Sequence, residues 1–94
     1  MTDERLEKAR AIINEVDADM ARLFEKRMEA AALVAAYKQD HHLPILDAKR
    51  EEENIARNSA LIADETLRPY YEHFLRDVMK VSRMYQQRLM EEKE

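Results

Sequence analysis

Not one of the 94 residues is glycine. Glycine ordinarily makes up about 7% of a protein, and it supplies the positive-φ corners that tight hairpins need. Only two prolines, Pro44 and Pro69, interrupt the sequence. A β-rich chain would require turn residues at every hairpin, and none of the Asn-Gly or Asp-Gly kind is present. Ala, Leu, Met, Glu, Lys and Arg fill the chain instead, all strong helix formers. The fold class expected is all-α.

Periodicity and breakers divide the chain into three helices. The first is expected over about residues 3–39, capped by Thr2 or Asp3. It ends at Asp40-His41-His42-Leu43-Pro44, because the residue before a proline is pushed out of the helical region. A second helix is expected over about residues 47–61. After a polar junction at Asp64-Glu65-Thr66 comes the third, over about residues 66–91, with Pro69 tolerated in its first turn. The tail Glu91-Glu92-Lys93-Glu94 is expected to fray. So short a chain has room for one domain, over residues 1–94.

The length of the first helix carries an argument of its own. Some 36 residues at 1.5 Å each make a rod of roughly 55 Å. A compact chain of this size has a radius of gyration of about 12 Å. Apolar residues continue along the whole rod, through Leu6, Ile13, Met20, Phe24, Ala31 and Val34. One protomer cannot cover that stripe, so a second copy is expected to: an intertwined helical homodimer.

Several function classes recede at this point. There is no cysteine, so neither a disulfide framework nor a thiolate metal site is available. With 16 Lys+Arg against 20 Asp+Glu, the net charge of −4 disfavours broad nucleic-acid binding. No apolar run approaches the ~20 residues that span a bilayer, and the opening MTDERLEKAR lacks a signal peptide's apolar segment. The expectation is a soluble, cytoplasmic protein without a membrane or nucleic-acid partner.

The chemistry lies in polar residues on the wrong face. Steps of four and three along the first helix trace Leu6, Arg10, Ile13, Asp17, Met20, Phe24, Arg27, Ala31, Val34 and Lys38 on one seam. Three cations and a carboxylate therefore sit where core is called for, and each needs a partner, water or a ligand. On the second helix Asp47, Arg50 and Glu51 share a face. On the third, the stripe Tyr71, Leu75, Val78, Ser82, Gln86, Leu89 puts Ser82 and Gln86 one turn apart among apolar neighbours. Arg27 and Lys38, eleven residues apart, lie within about 20° of one face and about 16 Å along the axis, a span suited to a small dianion. Arg10 is roughly 25 Å from Arg27, so any role it has belongs to the partner chain's site.

Each residue also has a plainer reading. Arg10 is then a snorkelling flank residue, Asp17 a member of a structural ion pair, and Arg27 and Lys38 are paired across the bundle. Asp47 is an N-cap, Arg50 and Glu51 a solvated face, and Ser82 with Gln86 a satisfied polar pair. Their convergence on three helices favours a site. Glu51 apart, Glu52, Glu53, Glu91 and Glu92 read as solvated faces. His41, His42 and His73 read as solvated or packing residues, the six methionines as core filler, and no metal site is expected.

Taken together, Arg10-x-x-Ile13-x-x-x-Asp17, Arg27, Lys38, Pro44-x-x-Asp47-x-x-Arg50-Glu51 and Ser82-x-x-x-Gln86 resemble the all-helical, AroQ-type chorismate mutases. The resemblance covers the chain from about Leu6 to Leu89. It implies a three-helix protomer, an intertwined dimer and two equivalent sites, each completed by an arginine from the other chain at the position of Arg10. It further implies the rearrangement of chorismate to prephenate on the way to phenylalanine and tyrosine, with no cofactor. By the same resemblance Arg10 of the partner chain and Arg27 hold the substrate carboxylates. Lys38 and Gln86 serve the ether oxygen, Ser82 the ring carboxylate, and Glu51 with the Asp47 region the ring hydroxyl. Arg50 orients Asp47 or acts through water. Two alternatives stand beside this: an isochorismate pyruvate lyase on the same fold, and a non-catalytic helical dimerisation module whose seam charges fix register.

Overall fold

The computed structural model describes residues 3–92, and among them there are helices and no strand. In chain order these are α1 (Glu4–Asp40), α2 (Ala48–Ser59) and α3 (Arg68–Glu92), with a single 3-10 turn at Glu65–Leu67 before the last. Thr2, offered above as an alternative cap, and Lys93 and Glu94 of the expected fraying tail lie outside the described residues. The chain divides into two units, Met1–Ala30 and Ala31–Glu94, with the division inside α1.

The first two helices and the 3-10 turn each start at an acidic cap. Asp3 caps α1: its carboxylate accepts the Arg5 backbone N–H at 2.8 Å, and its carbonyl accepts that of Glu7. The Arg5 side chain hydrogen-bonded to Asp3 holds that carboxyl below the usual carboxylate range. Asp47 caps α2 by accepting the Arg50 N–H at 3.1 Å. Asp64 begins the 3-10 turn, accepting the Thr66 hydroxyl at 2.7 Å and the Thr66 N–H at 2.9 Å, and both bonds lower its pKa. The third helix therefore begins two residues later than the pattern predicts, because Asp64 captures the chain in a tighter turn first.

The end of α1 shows how a chain without glycine turns a corner. The Leu43 N–H reaches back to the Lys38 carbonyl at 2.8 Å and the His42 N–H to the Gln39 carbonyl at 3.3 Å. This is the bonding of a Schellman motif, whose left-handed residue is usually glycine. Here it is His42, at φ 55°, so His42 is a structural corner residue. His41 stacks on Tyr37 with ring centroids 4.1 Å apart, and its Nδ1–H donates to the Tyr37 carbonyl. A left-handed non-glycine residue costs about 1–2 kcal/mol, and glycine gives back about 0.4–1 kcal/mol through the unfolded chain. His42→Gly is thus expected to stabilise the fold by about 0.5–1 kcal/mol. A urea midpoint that fails to rise at constant m-value contradicts this.

In the first unit every described side chain from Asp3 through Lys26 is exposed. Leu6, Ile13, Met20 and Phe24 of the apolar seam keep between 44% and 54% of their surface in solvent. Asp17 is exposed too, so within one chain its charge has no desolvation cost for an ion pair to offset.

In the second unit the core is Ile55 of α2 with Leu75 and Met79 of α3, and Tyr71 packs against them. Burying such side chains contributes roughly 1.5–3 kcal/mol each. Ala31 and Ala35 are the buried residues of α1. All six residues of the stripe read on α3 are buried or half-buried. The junction before α3 is closed by Arg68, whose Nε–H donates to the Ile62 carbonyl at 2.9 Å. Two ion pairs tie α2 to α3. Arg76 grips both oxygens of Glu52, at 2.6 and 3.1 Å, and holds that carboxyl below its usual range. Arg83 meets Glu51. Glu52, read as part of a solvated face, is exposed as expected but carries one of the two links.

Candidate active site

Of the expected site residues, those in the second unit include two that α3 withdraws from water. Ser82 and Gln86 are among the most buried polar residues described, at 8% and 7% exposure, and they stand one turn apart. A buried amide without partners is costly. Gln86 answers this by donating one Nε2–H to the Ala31 carbonyl of α1, at 3.1 Å across 55 residues of sequence. That bond also fixes which end of the amide is nitrogen. An amide nitrogen has two N–H groups, so a second donor remains, held in a known orientation.

Lys38 lies two turns beyond Ala31 on the same face of α1. Its Nζ is half-buried and donates to the Ile45 carbonyl in the loop leading to α2, at 2.5 Å. An ammonium carries three N–H donors; the loop takes one. Both groups expected to act on a ligand oxygen are therefore anchored by a backbone carbonyl, and both keep donors in reserve. Fixed donors of this kind need no reorganisation when charge appears beside them.

The second helix contributes Glu51. Its carboxylate receives Nη1 of Arg83 on both oxygens, at 2.5 and 2.6 Å, and both side chains are half-buried. Asp47 is occupied as the α2 cap, as its plainer reading had it, and Arg50 meets it through the backbone N–H. The Arg50 side chain is exposed. The Gln86 bond to the Ala31 carbonyl joins α3 to α1, and the Arg83–Glu51 pair joins α3 to α2, with Ser82 on the same stretch of α3. Arg10 and Arg27 belong to the first unit, where Arg10 is exposed and Arg27 half-buried. A shallow depression of about 380 Å³ on the outer side of α3, lined by Met84, Gln87, Arg88, Glu91 and Glu92, contains none of the expected residues.

Compared with models of protein families, residues 9–87 match chorismate mutase type II. The chain belongs to this family. The match begins one residue before Arg10 and ends one after Gln86, so every site position expected from the sequence falls inside it. No curated protein matches the chain significantly. Chorismate mutases of type II are all-helical, as is every described element of this chain. No helix among the described residues is long and apolar enough to cross a membrane. The described residues also hold no group of three or more His, Asp or Glu arranged for a metal ion.

Arg83 is the residue that sequence reasoning missed. Its position is one step off the α3 stripe, so the periodicity places it outside the core. The available signal was Glu51, an acid expected on an inward face with no assigned counter-charge. Helical spacing on α3 alone does not say which arginine, Arg76 or Arg83, meets it.

Proposed function

We propose that this chain is a chorismate mutase, an isomerase converting chorismate to prephenate for phenylalanine and tyrosine biosynthesis. The observation that carries the reading is the family match enclosing every position from Arg10 to Gln86. The reaction is a Claisen rearrangement within one molecule: an ether C–O bond breaks as a C–C bond forms. It needs no nucleophile, proton transfer, metal or cofactor. Catalysis consists of holding the flexible ether in its reactive chair form and stabilising negative charge on the ether oxygen as the C–O bond lengthens.

The residues divide that work. Lys38 spends its two remaining N–H groups on a substrate carboxylate and the ether oxygen, and Gln86 gives its second N–H to the same oxygen. Ser82 bonds the ring carboxylate, while Glu51 with the Asp47 region accepts the ring hydroxyl. Arg27 grips a carboxylate with its planar fork. Arg50 acts through Asp47. Arg10 acts from the partner of an intertwined homodimer in which the whole chain is one catalytic domain. The exposed apolar seam Leu6, Ile13, Met20, Phe24 supports the dimer, since a second copy laid along it removes that surface from water.

Incubation with chorismate tests the reading directly: prephenate is the expected product. Formation of pyruvate and salicylate from isochorismate assigns the lyase activity instead, and no reaction with either leaves the dimerisation module. The shared site has its own test. Neither Arg10→Ala nor Arg27→Ala homodimers should be active, yet mixing the two chains should restore up to about a quarter of wild-type activity, because half of the molecules are heterodimers and each has one intact site. Absence of recovery in a verified heterodimer rules out sharing.

A further inference from the structure

We propose that Arg83 is a positioning residue that holds the Glu51 carboxylate for the ring hydroxyl of chorismate, an inference that rests on the function proposed above. Glu51 is a flexible side chain on α2, and a hydroxyl is recognised only by an acceptor already in place. Arg83 supplies the fixation from α3: its Nη1 lies between the two carboxylate oxygens, at 2.5 and 2.6 Å. A carboxylate offers about four lone-pair sites, so this grip leaves acceptors for a hydroxyl. Arg83 also follows Ser82 directly and precedes Gln86 by three residues. One turn of α3 thus presents the carboxylate-binding hydroxyl, the clamp on Glu51 and the ether donor together.

The same pair of helices provides the comparison that separates positioning from simple fastening. Arg76–Glu52 also joins α3 to α2, but its side chains are 52% and 62% exposed, against 32% and 24% for Arg83–Glu51. Water competes little for the half-buried pair, and without Arg83 the Glu51 carboxylate gains by swinging out toward solvent. If the arginines only fastened the helices, their removal would have similar consequences for the reaction.

The test is steady-state kinetics with chorismate on wild type, Arg83→Met, Arg83→Lys, Arg76→Met, Glu51→Gln and the Arg83→Met/Glu51→Gln double variant. The ring hydroxyl gains and loses no bond in the rearrangement, so its contact is equal in ground and transition states and its loss appears in KM. Arg83→Met is expected to raise KM about tenfold with kcat within about threefold of wild type. Arg83→Lys should recover most of the loss, and Arg76→Met should leave both constants unchanged. Added to Glu51→Gln, Arg83→Met should cost little more, since both act through one contact. A wild-type KM in Arg83→Met, effects that multiply in the double variant, or an equal effect in Arg76→Met overturns the assignment. Where Arg83→Met does not fold, Arg83→Gln decides: a raised KM supports the assignment and an unchanged one overturns it. Wild-type protein that leaves chorismate unconverted overturns the proposed function and this inference with it, a result distinct from an active enzyme indifferent to residue 83.

Discussion

Replacing Lys38 by alanine is expected to lower kcat by about 10²–10³-fold, the cost of removing one donor from a developing oxyanion. The physical reason is placement as much as charge. The Ile45 carbonyl holds Nζ at the loop end of α1 before any substrate arrives, so the ammonium does not have to be ordered during the reaction. The substitution also strips the Ile45 carbonyl of its donor, so stability must be measured alongside. An unsatisfied half-buried carbonyl costs no more than about 1–3 kcal/mol, which moves the melting temperature but does not lower the turnover of molecules that remain folded. Circular dichroism should show unchanged helix content while turnover collapses. Retention of wild-type kcat in a folded Lys38→Ala protein removes Lys38 from the ether oxygen.

Gln86 gives the second large effect, and its direction depends on pH. Gln86→Ala should cost about 10²-fold or more in kcat. Gln86→Glu tests the chemistry more sharply, because a carboxylate cannot donate a hydrogen bond and a carboxylic acid can. The new side chain faces the Ala31 carbonyl, which now lies 3.1 Å from Nε2. Two acceptors at that distance favour the protonated acid, and so does burial at a position only 7% exposed. Its pKa should therefore lie above the ordinary glutamate value of about 4.3. Below that shifted pKa the acid carries one O–H, which serves the ether oxygen only when it turns from the Ala31 carbonyl, so activity is present but below that of the amide with its two N–H groups. Above it the ionised form has no proton to give and activity is lost. The wild-type amide has no such limb. Gln86→Glu should thus be most active in acid and fall steadily toward neutral pH, measured as kcat against pH on both proteins. A flat profile parallel to wild type would place residue 86 away from the reacting oxygen.

These expectations rest on contacts of unequal legibility in the sequence. Ser82 and Gln86 could be found because they replace apolar residues in a stripe otherwise made of Tyr71, Leu75, Val78 and Leu89, and the structure buries both. Asp47 could be read as a cap because an acid directly before a helix can accept the free N–H three residues on. Both signals are local: a helix's period and its end are set by residues within one or two turns. The Arg83–Glu51 contact spans 32 residues and the Gln86–Ala31 contact 55. Neither leaves a periodic trace. Side chains that reach sideways from a stripe obey the neighbouring helix and not their own.

His42 falls between these cases. The sequence has no glycine and Pro44 marks the break, but neither says which residue takes the left-handed corner. That choice follows from where α1 stops, which the back-bonds of Leu43 to Lys38 and of His42 to Gln39 decide.

The all-helical class, a cap at Thr2 or Asp3, and the inward polar pair on α3 were determined by the sequence alone, because propensity, capping and a 3.6-residue period act over a few residues. Which arginine holds Glu51, which carbonyl orients Gln86, and that Lys38 is tethered to the loop at Ile45 were decided only by tertiary structure. Such contacts depend on the distance and rotation between elements far apart in the chain, and packing, not local preference, sets both.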